Sequence, residues 1–373
     1  MRAAVMEDQA RPLAVRELRT ADPGPHEVVV RLSASGVCHT DLHMLTGDLH
    51  VPVPAVLGHE GSGVVERVGA AVERVRRGDR VVTAAAGSCG RCFYCVRAEP
   101  HNCDEIAVRV TTPRFLGEGG VKLQGLAGLG TFAELMTVHE SSVVPVRTDL
   151  PAAQLALVGC GVVTGVGAVV NTARVEPGMT VAVVGCGGVG QSAVQAAVLA
   201  GAACVVAVDP VERKRASATR VGASVALAPH EGLAAEVADL TEGRGVDVAI
   251  EAVGSAATIT TAWELTRRGG TVVVVGAAAP AERVSLSADD IIHSRKTLKG
   301  SIFAGGDAQK LIPLIVRLAE AGRFDLASMV TRTIRLEEVG TAFADMRQGR
   351  VTRSVIVYGD GDGGPNGQEG GAR

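Results

Sequence analysis

Residues Val181–Asp209 read VAVVGCGGVGQSAVQAAVLAGAACVVAVD, and the order of residue types in this stretch decides the fold. An apolar run, Val181–Val184, enters Gly185-x-Gly187-x-x-Gly190, with Gly188 and Val189 inside the motif. A small-residue, helix-like segment follows, and a second apolar run ends on Asp209. This order has a mechanical reading. The first glycine permits a tight turn, the second lets the backbone approach a pyrophosphate, and the third lets the helix pack on the strand. Free N–H groups and the dipole at the helix start attract phosphates. Asp209 would accept hydrogen bonds from adenosine ribose hydroxyls and repel a 2′-phosphate, which favours NAD(H) over NADP(H). A glycine turn without a ligand is the rival reading of the glycines alone; the flanking strands and the acid weigh against it.

From about Pro151 onward the pattern continues as helix-strand alternation. Val205–Val208, Ser224–Leu227, Val246–Glu251, Thr271–Gly276 and Leu298–Phe303 read as buried strands. Helices are expected near 190–200, 211–221, 231–241 and 256–267, with a further helix at Gln309–Ala321 and a final strand at Ser354–Tyr358. Such alternation of β-branched strands with helices predicts a doubly wound parallel sheet, an α/β fold. Residues 1–80 differ. Short β-like runs (Arg2–Met6, Leu13–Glu17, Glu27–Ser33, Gly61–Val68, Arg80–Thr83) are separated by turn signals such as Asp22-Pro23-Gly24-Pro25, which predicts an antiparallel β-barrel. Strands resume at Thr131–Val138 and Ser142–Pro145. The stretch 84–130 between them has little periodicity, and a loop of that length is expected to be functional or tied down. The glycine-rich stretch 359–373 reads as a disordered tail.

The chain has 373 residues, enough for roughly two domains with their own cores. Aromatics make up only 2%, so those cores must be built from Ala, Val and Leu. A formal charge of −3 without a basic block argues against nucleic acid and anionic membrane as partners. No apolar run approaches the roughly 18–20 residues of a membrane span, and the N-terminus lacks a signal-like apolar region. A cytoplasmic protein is expected.

Eight cysteines in such a chain point to metal or catalysis before disulfides. Cys89, Cys92, Cys95 and Cys103 supply four thiolates within fifteen residues. A closed four-thiolate site is what structural Zn²⁺ takes, and it would order a lobe that has little core. An iron–sulfur site and four incidental thiols are the rivals; nothing else in the sequence suggests electron transfer. Cys186 and Cys204 read as packing residues.

Three further pieces carry reactive groups: Cys38-His39-Thr40-Asp41-Leu42-His43, Gly58-His59-Glu60-Gly61-Ser62-Gly63-Val64-Val65-Glu66-Arg67-Val68-Gly69, and Gly159-Cys160-Gly161-Val162-Val163-Thr164-Gly165. Spacing alone does not show that Cys38, His59 and Cys160 meet. With GHEGSGVVERVG, the four-cysteine lobe and the glycine turn in this order, however, the chain resembles the zinc-dependent medium-chain alcohol dehydrogenases from about residue 2 to 357. The resemblance implies a GroES-like catalytic domain formed by 1–157 and 300–358, with the zinc lobe at 84–130, and a Rossmann NAD domain at 158–299. It also implies a homodimer or homotetramer and two zinc ions per chain. Cys38, His59 and Cys160 would hold the catalytic zinc, leaving one open position for water or substrate.

The mechanism implied is a zinc-bound alkoxide, hydride transfer to NAD, and a proton relay from Thr40 through the nicotinamide ribose to His43. Asp41 matches a carboxylate that orients the histidine ligand, and Glu60 a modulator behind the metal. His39 and Arg353 match positions contacting the pyrophosphate, as cationic groups facing phosphate oxygens. Lys214 matches one near the adenosine ribose, and Thr164 and Val189 pack against the nicotinamide. Many relatives carry a bulky aromatic where Ala85 stands, so a wide substrate pocket is expected unless Leu49, Phe115 or Leu116 fills it. The LVGCGVVTG stretch resembles the branch of thiol-dependent formaldehyde dehydrogenases and actinobacterial nicotinoprotein alcohol dehydrogenases. A zinc-free quinone or enoyl reductase is disfavoured by the intact Cys38, His59 and Cys160; a non-catalytic NAD-binding structural or sensor protein is disfavoured by Thr40 and His43.

Overall fold

The computed structural model describes residues 1–9, 11–85 and 87–359. The stretch 359–373, apart from Gly359, lies outside the described residues. Six parallel strands form one sheet in the order Val225–Leu227, Cys204–Val208, Thr180–Val184, Val246–Glu251, Thr266–Val274, Thr297–Gly300. Alternate residues feed opposite faces: Val181, Val183 and Val205 pack on one side, Ala182, Val206 and Val272 on the other. Helices Gly188–Leu199, Glu212–Arg220, Leu233–Asp239 and Ala256–Leu265 connect the strands. The strand order reverses beside Thr180–Val184, which opens a crevice beyond the C-terminal strand ends.

The rest of the chain builds antiparallel structure around one long strand, Glu27–Gly36. Glu60–Val68 pairs along its length. Leu135–His139 pairs with its first half and Arg353–Val357 with its last residues, Val355 opposite Gly36. Val330–Ile334 extends this sheet beyond Arg353–Val357, and Arg80–Thr83 and Val143–Pro145 extend the other side. A second six-stranded sheet carries Arg2–Met6, Ala14–Glu17 and Lys122–Gly125 among its members. Val28, Val30, Val65, Phe115 and Met136 fill the space inside.

A long helix, Ala152–Ala173, joins the two halves. By length and composition it could cross a membrane, with a mean hydropathy of 1.9, although Gln154, Thr164 and Asn171 interrupt its apolar residues. Its place in the fold is internal. Leu155, Val158, Val162 and Val166 share one apolar cluster with Val82 and Val144 of the barrel and Val181 and Val205 of the parallel sheet.

Several expectations need correction. Leu298–Phe303 is not all strand. The strand ends at Gly300, and Phe303 has φ 51°, a left-handed conformation that no strand accommodates. The 84–130 stretch is not loop throughout: Ile106–Thr111 is helical, and Phe115–Leu116 and Lys122–Gly125 pair with each other. The sequence reading also missed the helices His39–Thr46 and Val339–Arg347 and the strand Val330–Ile334.

Candidate active site

Cys38, His59, Glu60 and Cys160 each bring one ligand atom to a common point, all within 4.8 Å of one another. Three local devices place them. Cys38 stands just before helix His39–Thr46, where Asp41 Oδ2 accepts its backbone N–H at 3.0 Å. Oδ1 of Asp41 accepts from Gly58 N at 2.8 Å and lies 3.3 Å from His59 Nδ1. One buried carboxylate thus ties two of these segments together. Cys160 lies in a π-helical turn, Val158–Val162, a widened geometry that recurs at functional sites. The glycines beside it allow close approach: a Cβ at Gly159 would strike Thr83, and one at Gly161 would strike Arg353.

The electrostatics suit a cation. Cys38 is held well below the usual thiol range by hydrogen bonding with Cys160 and by His59, against the effect of burial. Burial pushes Glu60 up to about 7, although Arg353 opposes it. Glu60 Oε1 meets Arg353 Nη2 at 3.3 Å and accepts from Gly161 N, while its buried Oε2 has no partner. Two thiols, an imidazole and a carboxylate oxygen within that distance fit one zinc ion, whose bonds to S and N run about 2.0–2.3 Å.

Cys89, Cys92, Cys95 and Cys103 form the second group, again with ligand atoms within 4.8 Å. Backbone amides face the sulfurs: Cys89 N donates to Cys103 Sγ and Cys92 N to Cys89 Sγ, each at 3.3 Å. Four sulfurs leave no open position, which fits a structural ion. All eight cysteines are free.

A cleft of about 450 Å³ runs from the Cys38 cluster to the C-terminal ends of the parallel strands. Its walls include His39, Thr40, His43, Thr164, Gly185, Gly187, Gly188, Val189, Asp209, Lys214 and Arg353. Gly190 is not among them; a Cβ there would collide with the Gly185 carbonyl, so its role is packing. Gly185 has φ 93°, which a side chain would strain. At Gly187, by contrast, a Cβ would meet nothing within 4 Å, so the motif leaves open space beside the helix start. Arg353 Nε is buried without a hydrogen-bond partner, and a Cβ on Gly188 would strike its guanidinium. A guanidinium with an unpartnered Nε–H against a helix N-terminus fits a phosphate-bearing ligand. Asp209 accepts from Cys186 N at 2.8 Å and Val211 N at 2.9 Å, and lies 4.0 Å from Lys214 Nζ. It fixes the glycine turn to the next strand end as well as facing the cleft. His39 departs from the sequence reading as a cation: burial, with Arg353 and Lys214 nearby, lowers its pKa, so its neutral N–H form is favoured.

Comparison with known proteins places this geometry. The model described as "Alcohol dehydrogenase GroES-like domain" matches residues 24–148, and "Zinc-binding dehydrogenase" matches 188–317. The NDMA-dependent alcohol dehydrogenase of Amycolatopsis methanolica is 39% identical, covering 96% of this chain and 98% of its own. The chain belongs to the zinc-dependent medium-chain alcohol dehydrogenase family. Another member, the S-(hydroxymethyl)glutathione dehydrogenase of Synechocystis, is 36% identical over 96% of this chain and 99% of its own. The crystal structure of benzyl alcohol dehydrogenase from Acinetobacter calcoaceticus superposes with a TM-score of 0.90, at 31% identity, covering 96% of this chain and 99% of that one. The fold is thus a GroES-like barrel joined to a Rossmann domain, and the protein is a zinc-dependent alcohol oxidoreductase.

In this dehydrogenase Ala85 lines the cleft, and Leu49, Phe115 and Leu116 do not. Phe115 is fully buried in the barrel core instead. The sequence reading overlooked Ile302, Phe303 and Val275, which form apolar wall just beyond the ends of two parallel strands; the signal was the apolar pair after Gly300-Ser301. Ala85→Phe is expected to penalise bulky alcohols far more than ethanol. Overpacking costs ~1–3 kcal/mol, or roughly 5- to 150-fold in the ratio of kcat/KM values for a bulky and a small alcohol. An unchanged ratio would remove residue 85 from the substrate wall.

Proposed function

We propose that this enzyme oxidises an alcohol, or reduces the corresponding aldehyde, with NAD(H) in the cleft and zinc at both clusters. The supporting observation is the single cleft that joins the Cys38, His59 and Cys160 cluster to the glycine turn ending at Asp209. Zinc bound there supplies a Lewis acid to the alcohol oxygen, and the dinucleotide supplies the hydride acceptor. Cys38, His59 and Cys160 would ligate the catalytic ion, with Asp41 orienting His59 and Glu60 adjusting the charge behind the metal. Cys89, Cys92, Cys95 and Cys103 would hold the structural ion. Thr40, whose Oγ1 lies 3.7 Å from Cys38 Sγ, would receive the alcohol proton by hydrogen bond, and His43 would accept it at the outer end of the relay.

Gly185, Gly187, Gly188 and Gly190 would shape the pyrophosphate site with Arg353 and the neutral His39. Asp209 and Lys214 would face the adenosine ribose, and Thr164 and Val189 the nicotinamide. In this reading 1–157 and 300–358 form the catalytic domain and 158–299 the NAD domain. Free cysteines support a reducing, cytoplasmic setting. The exposed edge strand Thr297–Gly300 supports assembly into a homodimer or homotetramer.

Metal analysis with an alcohol-dependent NADH absorbance assay tests the core of this reading. Two zinc equivalents per chain and NADH formation are expected; iron with labile sulfide, or a single zinc, would overturn it. Likeness to the NDMA-dependent enzyme favours a second form of the same reading, in which NAD(H) stays bound between turnovers. Denaturing the purified protein and measuring released dinucleotide separates the two forms. Asp209→Gly should weaken NAD binding and relax discrimination against NADP, because it removes the carboxylate that would repel a 2′-phosphate. A parent enzyme already preferring NADP would refute the role given to Asp209.

A further inference from the structure

His43 ends the relay only if one ring nitrogen is free to accept a proton, and its neighbour on the page is a carboxylate that no part of the relay uses. Helix His39–Thr46 stops at Gly47, whose φ of 85° turns the chain back, and Leu49 N donates to His43 O at 3.1 Å. Asp48 is thereby set beside His43, its Oδ2 3.1 Å from Nδ1. Thr46 Oγ1 donates to the same oxygen at 2.6 Å, and Gln9 Nε2 reaches the Leu49 carbonyl at 3.3 Å, fixing the turn from outside. From this geometry we infer that Asp48 is a positioning residue for His43, acting on the relay proposed above.

An ionised carboxylate accepts only, so Nδ1 must carry the proton in the neutral ring. Nε2 is then the lone-pair nitrogen, and the ring lines the cleft. When the O–H bond of the delivering hydroxyl breaks and the Nε2–H bond forms, the ring gains one positive charge, which Asp48 offsets. His43 is 31% exposed at its side chain, so the proton passes on to water. Asp48 is suited to staying ionised: hydrogen bonds from Thr46 and then from His43 lower its pKa. The other titratable and charged groups facing this pair are the neutral His39, next to His43 in the cleft, and the cation Arg347, at the end of helix Val339–Arg347. Asp48 is the carboxylate that meets the ring.

The test uses full-length protein labelled with ¹⁵N-histidine, His43 being assigned by its loss in His43→Gln. Without added dinucleotide, the parent should show His43 as the Nδ1–H tautomer. Asp48→Asn should erase that preference, because a neutral amide can donate as well as accept. The same variant should lower kcat/KM for alcohol oxidation about three- to tenfold and move the acid limb of its pH profile downward, with Asp48→Glu restoring part of both. An Nε2–H tautomer in the parent, an unchanged tautomer in Asp48→Asn, or a changed tautomer with an unmoved pH profile would each overturn the inference. A His43→Gln variant with the parent's pH profile would remove the relay itself; the ¹⁵N spectrum of the parent distinguishes that failure, because the pairing would still be seen.

Discussion

Cys38→Ala is expected to abolish alcohol oxidation while leaving the fold intact, with one zinc equivalent retained per chain. Cys38 contributes a thiolate held in that form by Cys160 and His59, and it opens the helix that carries Thr40 and His43. Its loss leaves His59 and Cys160 with Glu60 around the metal position, a poorer donor set for a soft-ligand ion. Lewis-acid stabilisation is worth several kcal/mol, so a fall of ~10³-fold or more in kcat/KM is expected. Circular dichroism and the remaining zinc would show that the protein is otherwise whole. The measurement that decides is zinc content beside activity: a variant with both zinc equivalents and near-parent kcat/KM would remove Cys38 from the ligand set.

Cys92→Ala should have the opposite signature. The sulfur set Cys89, Cys92, Cys95, Cys103 sits in a lobe whose side chains Phe93, Val96 and Val108 are exposed, so little apolar burial holds it together. Metal binding energy there is folding energy. Removing one thiolate should release the structural zinc and render the segment between Cys89 and Thr111 open to proteolysis. Several kcal/mol lost from that unit corresponds to a drop of ~10 °C in its unfolding midpoint. Limited proteolysis with mass spectrometry reads the site of cleavage directly. Parent-like resistance with a single zinc would mean that packing, not metal, orders the lobe.

The parallel sheet could be read from sequence because its central strands, Thr180–Val184, Cys204–Val208 and Val246–Glu251, are largely apolar and buried, and the first is followed by its glycine turn, so local pattern and global position agree. The four-thiolate group was legible for a similar reason, since its ligands are near neighbours in sequence. The cluster proposed as catalytic was not legible from spacing: Cys38, His59 and Cys160 come from a helix start, a strand start and a π-helical turn, and only tertiary packing joins them. Arg353 shows the limit well. Family likeness implied a pyrophosphate contact for it, but its second contact, with Glu60, depends on a strand far away in sequence. Asp48 was passed over because a carboxylate after a helix-ending glycine has no distinctive pattern; only the left-handed turn at Gly47 aims it at His43. The strand Val330–Ile334 alternates exposed and part-buried residues, which gave no apolar signal to read.

The strand Arg353–Val357 has a consequence for how the molecule is made. It fills the edge of Glu27–Gly36 beyond the pairing supplied by Leu135–His139, and it carries the guanidinium that faces both the glycine turn and Glu60. During synthesis the parallel sheet is complete once Gly300 has left the ribosome, and it can fold as a unit. The barrel cannot close then. Val37 N has its partner in the Ser354 carbonyl, and Ala34–Gly36 keep an open sheet edge until residues 353–357 emerge. For that interval the nascent chain exposes an unpaired strand of the kind that templates aggregation. The two halves of the cleft therefore become a working pair only after residues 353–357 emerge, and a ribosome stalled near residue 350 would hold a folded parallel sheet beside an unfinished barrel.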